Sequence, residues 1–260
     1  MKPVRELLEN YRKLSGRLKE EASKPRLSQE RHKEEKRRVF AEGCGFYKLF
    51  WVFLLGSFYG DLVETIFVRL NSGEWMSRSS LVIGQFSLVW GLGCLFLTLF
   101  LHRMIAWDDR YIMIAGTVLG GAFEYLCSVF TEKAFGVVFW DYSHMRFNLN
   151  GRINLLYCLF WGIMAVVWLK IIYPWMSRGI EKLPILFGKL LTFGLLLFMV
   201  FDIAVSAAAL YRMHQRDIAA DAGPRNWAER YVDTHYTDEW IEARYQNLKL
   251  VGEQVPEAVR

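Results

Sequence analysis

Apolar positions in this chain follow neither the spaced pattern of a soluble amphipathic helix nor the alternation of a half-buried strand. They run together in long blocks at 46–70, 80–101, 111–130, 153–173 and 185–211. A bilayer core is crossed by roughly 20 residues of helix, so each block predicts one membrane span. The predicted fold class is therefore all-α, a polytopic helical membrane protein with five transmembrane helices. The absence of strand-type alternation argues against a β-barrel. The organisation predicted has three parts: a charged, helical extension over 1–45, a five-helix membrane domain over 46–211, and a soluble tail over 212–260. Within the tail Thr237 is suited to cap a helix, and Ile241, Tyr245 and Leu248 then fall at i, i+4 and i+7. That pattern predicts one amphipathic helix that docks on another surface.

Composition sharpens this reading. Hydrophobic residues make up 53% of the 260 positions, yet charged residues still reach 23%. Both hold only if the charges are segregated, and they are: they concentrate in the two ends and the short connections. This excludes a soluble globular enzyme, a disordered chain and a small disulfide scaffold. Cys44, Cys94, Cys127 and Cys158 lie in or beside apolar runs without paired short spacing. No Cys/His metal cluster and no cofactor are predicted. The polar N-terminus lacks the apolar core of a cleavable signal.

Charge also orients the chain. Arg31, Lys33, Lys36, Arg37, Arg38 and Lys48 precede or open the first block. Loops on that side add Arg103, Arg110, Lys170, Arg178 and Lys182. The other side carries Arg69, Arg78, Lys133, Arg146, Arg152 and an acidic tail. Basic residues near span ends favour the cytoplasm, which places the N-terminus inside and, with an odd number of spans, the C-terminus outside. The basic extension either meets anionic lipid headgroups or is a solvated helix. Its cations are interleaved with Glu and form no nucleic-acid-binding motif.

The first and third blocks echo one another. Gly56, Gly60 and Glu64 recur as Gly116, Gly120 and Glu124, each trio in steps of four that form one stripe on a helix. Each is followed by a polar connection with an arginine near its end, Arg78 or Arg152, and then by Trp-Gly, at Trp90-Gly91 and Trp161-Gly162. Two hairpins of the same orientation follow from this, a parallel repeat with a fifth helix added. Small residues four apart let helices approach closely. Packing of the first helix on the third through these stripes would bring Glu64 and Glu124 together, with Asp61 flanking. Acids within a span cost about 2.5–3.5 kcal/mol on insertion scales, so they face a cavity, a partner or a pathway. Asp61, Glu64, Glu124 and Asp202 all lie toward the C-terminal ends of parallel helices, and Gln85 and the 131–152 connection meet the same leaflet. In that connection Trp140, Asp141 and Tyr142 precede Asn148, Asn150 and Arg152. Arg152 is the expected partner of a buried Glu, because its planar fork binds a carboxylate at two points. The same Arg and Asn residues suit a phosphate or another anion equally.

These strings carry a resemblance. Ser57 to Glu64, Arg78-Ser79-Ser80-Leu81, Trp90-Gly91-Leu92-Gly93, Glu124-Tyr125, Glu132, Trp140-Asp141-Tyr142-Ser143, Asn148-Leu149-Asn150-Gly151-Arg152 and Trp161-Gly162 resemble the bacterial family called putative ABC-transporter type IV, or CmpB-like permeases. Gly84-Gln85-Phe86 departs from the Gly-Pro-Phe expected in it. The resemblance implies a multi-pass protein of the bacterial inner membrane and, for a permease, a separate ATPase subunit; membrane lipids and further copies of the chain are the other partners considered. The chain has no Walker A pattern of its own. Three readings follow: a permease moving or binding a small polar or amphiphilic solute at the acidic/Arg cluster, an intramembrane enzyme or lipid-headgroup binder, or a scaffold whose charges satisfy one another.

Overall fold

The structure, a computed structural model, describes Lys13, residues 39–219 and residues 223–250. The expected N-terminal extension lies outside the described residues as far as residue 38, Lys13 excepted. Among the described residues the chain is predominantly helical, with a few two-residue strands. Four helices are long and apolar enough to cross a membrane: α1 (Phe46–Ser72), α3 (Asp109–Phe135), α4 (Leu155–Glu181) and α5 (Ile185–Ile218). The second apolar block yields a shorter helix, α2 (Leu88–Leu101), continued by one 3-10 turn at His102–Met104.

The second block therefore starts its helix later than expected, at 88 and not 80. The cause is local chemistry. Serine hydroxyls offer the backbone an alternative to helical bonds. Ser79 Oγ accepts from the Phe86 N–H at 3.2 Å and lies 3.2 Å from the Gly84 carbonyl oxygen. Ser80 Oγ accepts from the Leu88 N–H at 3.1 Å, at the start of α2. Gly84 adopts φ +75°, a turn conformation open to glycine without steric penalty. The break stands without the expected proline. Non-helical backbone at membrane depth must be satisfied by protein. Here Ser206 Oγ accepts from the Val82 N–H at 2.9 Å and Asp202 Oδ1 from the Ile83 N–H at 3.1 Å.

Capping residues explain the other ends. Asp108 accepts from the Arg110 N–H and opens α3, while Gly136 at φ +65° closes it. Asn154 accepts from the Leu156 N–H at the start of α4. The α4 helix runs past its expected end at 173 and through Pro174. A π-helical turn at Trp168–Ile172 ends two residues before that proline and widens the helix around Lys170, whose carbonyl the ring would meet. Only 182–184 then connect α4 to α5.

The packing is of two hairpins, α1 with α2 and α3 with α4, with α5 against both α1 and α3. At 34 residues α5 is about 51 Å long, more than a bilayer core requires. Its last turns carry the tail, α6 (Trp227–His235) and α7 (Asp238–Arg244). The expected docking helix is α7. Thr237 Oγ1 accepts from the Trp240 N–H, and Ile241 and Tyr245 are buried with Val82, Ala209, Leu210, Met213 and Val232. Strand β4 (Lys249–Leu250) then pairs antiparallel with β1 (Val137–Val138), directly after α3. A second small ladder joins β2 (Asn148–Leu149) to β3 (Ile153–Asn154). Ion pairs hold the tail: Arg212 with Asp233 at 2.6 Å, and Arg216 with Asp233 and Asp238.

At the other end of the bundle Lys48 is not an interfacial cation but a buried one. Its Nζ pairs with Glu181 Oε1 and donates to the Ser177 carbonyl at 3.3 Å, tying the start of α1 to the end of α4.

Candidate functional site

The glycine stripes set the geometry of the acids. A methyl on Gly56 would lie 2.9 Å from Cys94 Cβ, and one on Gly60 would enter the Trp90 ring. One on Gly116 would meet Ala165, and one on Gly120 would enter the Trp161 ring. Each stripe therefore packs its helix against the partner within its own hairpin. The expected packing of α1 on α3 through these glycines does not occur, because the Trp-Gly pairs of α2 and α4 fill the two grooves. Gly91 fits against Ser57 and the Phe53 carbonyl, and Gly162 against Thr117 and the Met113 carbonyl.

Close approach lets each tryptophan reach the acid one turn along. Trp90 Nε1 donates to Glu64 Oε2 at 2.6 Å, and Trp161 Nε1 to Glu124 Oε2 at 3.2 Å. The two indole rings lie against one another, with centroids 6.1 Å apart. Tryptophan contact thus joins the two hairpins where direct glycine packing was expected. The other Glu oxygens differ. Glu64 Oε1 takes Arg78 Nε at 2.8 Å and Nη2 at 2.6 Å. Glu124 Oε1 takes the Tyr142 hydroxyl at 2.7 Å, and no cationic side chain pairs with it among the described residues. Glu124 is buried, held by neutral donors alone. Burial and the Glu124 carboxylate push the Tyr142 phenol well above its ordinary range, so it stays a donor.

The long connection after α3 closes over this pair. Tyr142 stacks on Tyr157 of α4 with centroids 4.7 Å apart. Trp140 Nε1 donates to the Arg152 carbonyl at 2.9 Å. Asp141 Oδ1 accepts from the Ser143 N–H at 2.9 Å. Asn148 turns the loop, donating to the Met145 carbonyl at 2.7 Å and accepting from the Gly151 N–H at 2.9 Å. Asn150, at φ +55°, donates to Tyr125 Oη at 3.3 Å. Arg152 does not reach Glu64 or Glu124. It pairs with Glu132, donates to Ser128 Oγ at 3.1 Å and lies over the Tyr125 ring. The reason is register: α3 runs to Phe135, so Glu132, two turns beyond Glu124, stands at the loop's own level.

Asp202 stands beside segment 79–87, apart from the Glu pair, while Asp61 lies within electrostatic range of Glu64, Arg78 and Arg244 without a hydrogen bond to any of them. Both are buried; Asp202 accepts from Ile83 as described, and Asp61 Oδ1 has no hydrogen-bond partner among the described residues. Gln85 is exposed at the tip of the segment and joins neither group. Sequence reasoning missed Arg244. Its guanidinium donates to the Leu81 carbonyl at 2.8 Å and to the Gly84 carbonyl, and so caps the segment from the tail. Its position as the last residue of a helix whose apolar face docks was the available signal. Trp90 and Trp161 were visible as a repeated dipeptide but not as carboxylate donors.

Chemically, the centre offers two carboxylates, one guanidinium, a phenol and two indole faces. Among the described residues no three His, Cys, Asp or Glu side chains gather as a metal-binding group. No curated protein and no solved structure matches the chain. A family does: the one described as Putative ABC-transporter type IV matches residues 51–207, which hold both hairpins, the long connection and most of α5. With its apolar helices and that match over more than half its length, this chain is a membrane protein belonging to the Putative ABC-transporter type IV family.

Proposed function

We propose that this chain is a permease-type subunit that binds a small polar or amphiphilic solute between its two hairpins, at Glu64, Arg78, Glu124, Tyr142 and the Trp90–Trp161 pair. The observation that carries this reading is Glu124: a buried carboxylate with two neutral donors and, among the described residues, no cation paired with it. A buried charge is retained where something pairs with it. A cationic group on the solute would take Glu124 and the indole faces, and an anionic group would take Arg78 from Glu64. Trp140, Asp141, Asn148, Asn150 and Arg152 would hold the loop that covers the site, and Asp202 the segment beside it.

The architecture in this reading is five spans, α2 included, with two parallel hairpins as a repeat and α5 added. Support comes from the matching sets Gly60, Glu64, Trp90 and Gly120, Glu124, Trp161. The N-terminal extension and the 182–184 and 102–108 turns face the cytoplasm of a bacterial cell, and the tail faces outward. ATP hydrolysis would belong to a separate chain.

The test is purification of the full chain in native lipid discs, followed by mass spectrometry of what is retained. The expected result is one solute class bound to the wild type and depleted at least tenfold in Glu124→Gln, a loss of about 1.4 kcal/mol. Retention of identical contents by Glu124→Gln and Glu64→Gln would overturn the reading.

A further inference from the structure

One stripe of α1 is not explained by the solute site. Ser57, Asp61 and Thr65 follow one another in steps of four, so they share a helix face. Ser57 and Asp61 are buried, and Ser57 Oγ, Asp61 Oδ1 and Thr65 Oγ1 each lack a hydrogen-bond partner among the described residues. Three such atoms in one row are unusual, since buried polar atoms nearly always find a partner, an ordered water or an ion.

The second hairpin is an internal control. Sixty positions on, α3 makes the same glycine, tryptophan and glutamate contacts. There Thr117, the counterpart of Ser57, donates to the Met113 carbonyl at 2.8 Å. Gly121 stands where α1 has Asp61, and packs on Cys158. Tyr125 stands in place of Thr65 and accepts from Asn150. Hairpin packing therefore needs neither the acid nor the free hydroxyls, and α1 carries them for another reason.

The geometry points to a site for a small monovalent cation, sodium or a proton carried as hydronium, held by the Asp61 carboxylate with Ser57 Oγ and Thr65 Oγ1 as neutral oxygen ligands on either side. Neighbours four apart on a helix stand about 5–6 Å between Cβ atoms, so an ion on Asp61 is within reach of a hydroxyl one turn away. Single charge follows from the donor set: one carboxylate neutralises one monovalent ion, whereas calcium takes six to eight oxygens with several carboxylates. The groups facing Asp61 are Glu64 on its own helix, Arg78 from the 73–87 connection and Arg244 from the tail. Beside it runs the non-helical segment 79–87, where Ser87 N–H donates to the Ser57 carbonyl at 2.9 Å. Coupling ions in membrane proteins sit beside such interrupted backbone. The inference does not rest on the solute assigned to the glutamate pair, although Glu64 and Arg78 adjoin both sites.

The experiment uses the full chain in lipid discs, with thermal unfolding followed by tryptophan fluorescence. At pH 8 sodium chloride replaces choline chloride at constant ionic strength; separately, pH is lowered from 8 to 5 in choline alone. A saturable rise in Tm with sodium identifies sodium, and a rise with acid alone identifies the proton. Asp61→Asn abolishes whichever response the wild type shows. Ser57→Ala and Thr65→Val, which keep the fold's shape, raise the midpoint concentration of the ion about tenfold, the effect of losing a ligand hydrogen bond or contact. The proposal fails if neither ion shifts Tm, or if Asp61→Asn keeps the wild-type response. It fails equally if Ser57→Ala and Thr65→Val leave the midpoint unchanged, since hydroxyls that bind nothing are removed without loss.

Discussion

An indole N–H can only donate, so Trp90 and Trp161 each fix one carboxylate oxygen and leave the other to be claimed by a different group. Arg78 claims it on Glu64; Tyr142 claims it on Glu124. The two sites therefore respond differently to the same substitution. Trp161→Phe keeps the ring contact but leaves Glu124 with Tyr142 alone, and should lower stability by about 1–3 kcal/mol, the range for a buried acceptor losing its donor. Trp90→Phe should lower it by less, because two Arg78 nitrogens still hold Glu64 Oε1. Thermal unfolding in lipid discs measures the difference; equal losses would contradict it. Gly120→Ala tests the packing beneath: its methyl enters the Trp161 ring and should cost about 1–3 kcal/mol. The carboxylates and glycines were legible in the sequence because their spacing fixes a helix face. Their partners were not, because the Arg152 assignment depended on how far α3 continued, and a helix end is set by a cap such as Gly136, which hydrophobicity does not reveal.

Hydrophobic blocks predicted the helices well where a helix is all that an apolar run can form. They failed at 80–87, where Leu81, Val82 and Phe86 bury apolar surface from a non-helical segment. Burial is blind to backbone conformation; Ser79 and Gly84 carry the distinction. The tail was legible as an amphipathic helix, but its docking surface was not, since Arg244 recognises carbonyls that exist only once segment 79–87 has left the helix. Docking of the tail on α5 also rests on Asp233, whose carboxyl is held below the ordinary range by the Arg212 guanidinium. A depressed pKa contributes stability that is complete above the unfolded value, about 3.9, and is lost as pH falls through the folded one. Proteolysis of the tail should thus be constant from pH 8 to 5 and accelerate only in stronger acid. Asp233→Asn should be cleaved faster at pH 7.

For the molecule as a whole the decisive quantity is the number of crossings. Helix α2 has 14 residues, about 21 Å, which is less than the bilayer core. On the five-span reading, however, α2 is helped across by the 3-10 turn and by the 79–87 segment hydrogen-bonded to α5, which together link the C-terminal end of α1 to the N-terminal end of α3. Helices α1 and α3 would then run in the same direction, as would their glycine stripes and glutamates. On this arrangement the second crossing is made partly by helix and partly by backbone whose N–H groups are satisfied by Asp202 and Ser206. A re-entrant α2 would instead give four crossings and return both ends of the chain to one side. Fusing a fluorescent protein that folds in the cytoplasm, or a phosphatase active only outside it, to each end separates the two. Five crossings predict fluorescence from the N-terminal fusion and phosphatase activity from the C-terminal one. With that outcome the polar cluster and the tail would share the outer leaflet, and the proposed sites at Glu124 and Asp61 would open to the same side. The same report from both ends would leave α2 inside the membrane and put the two chain ends on one side of it.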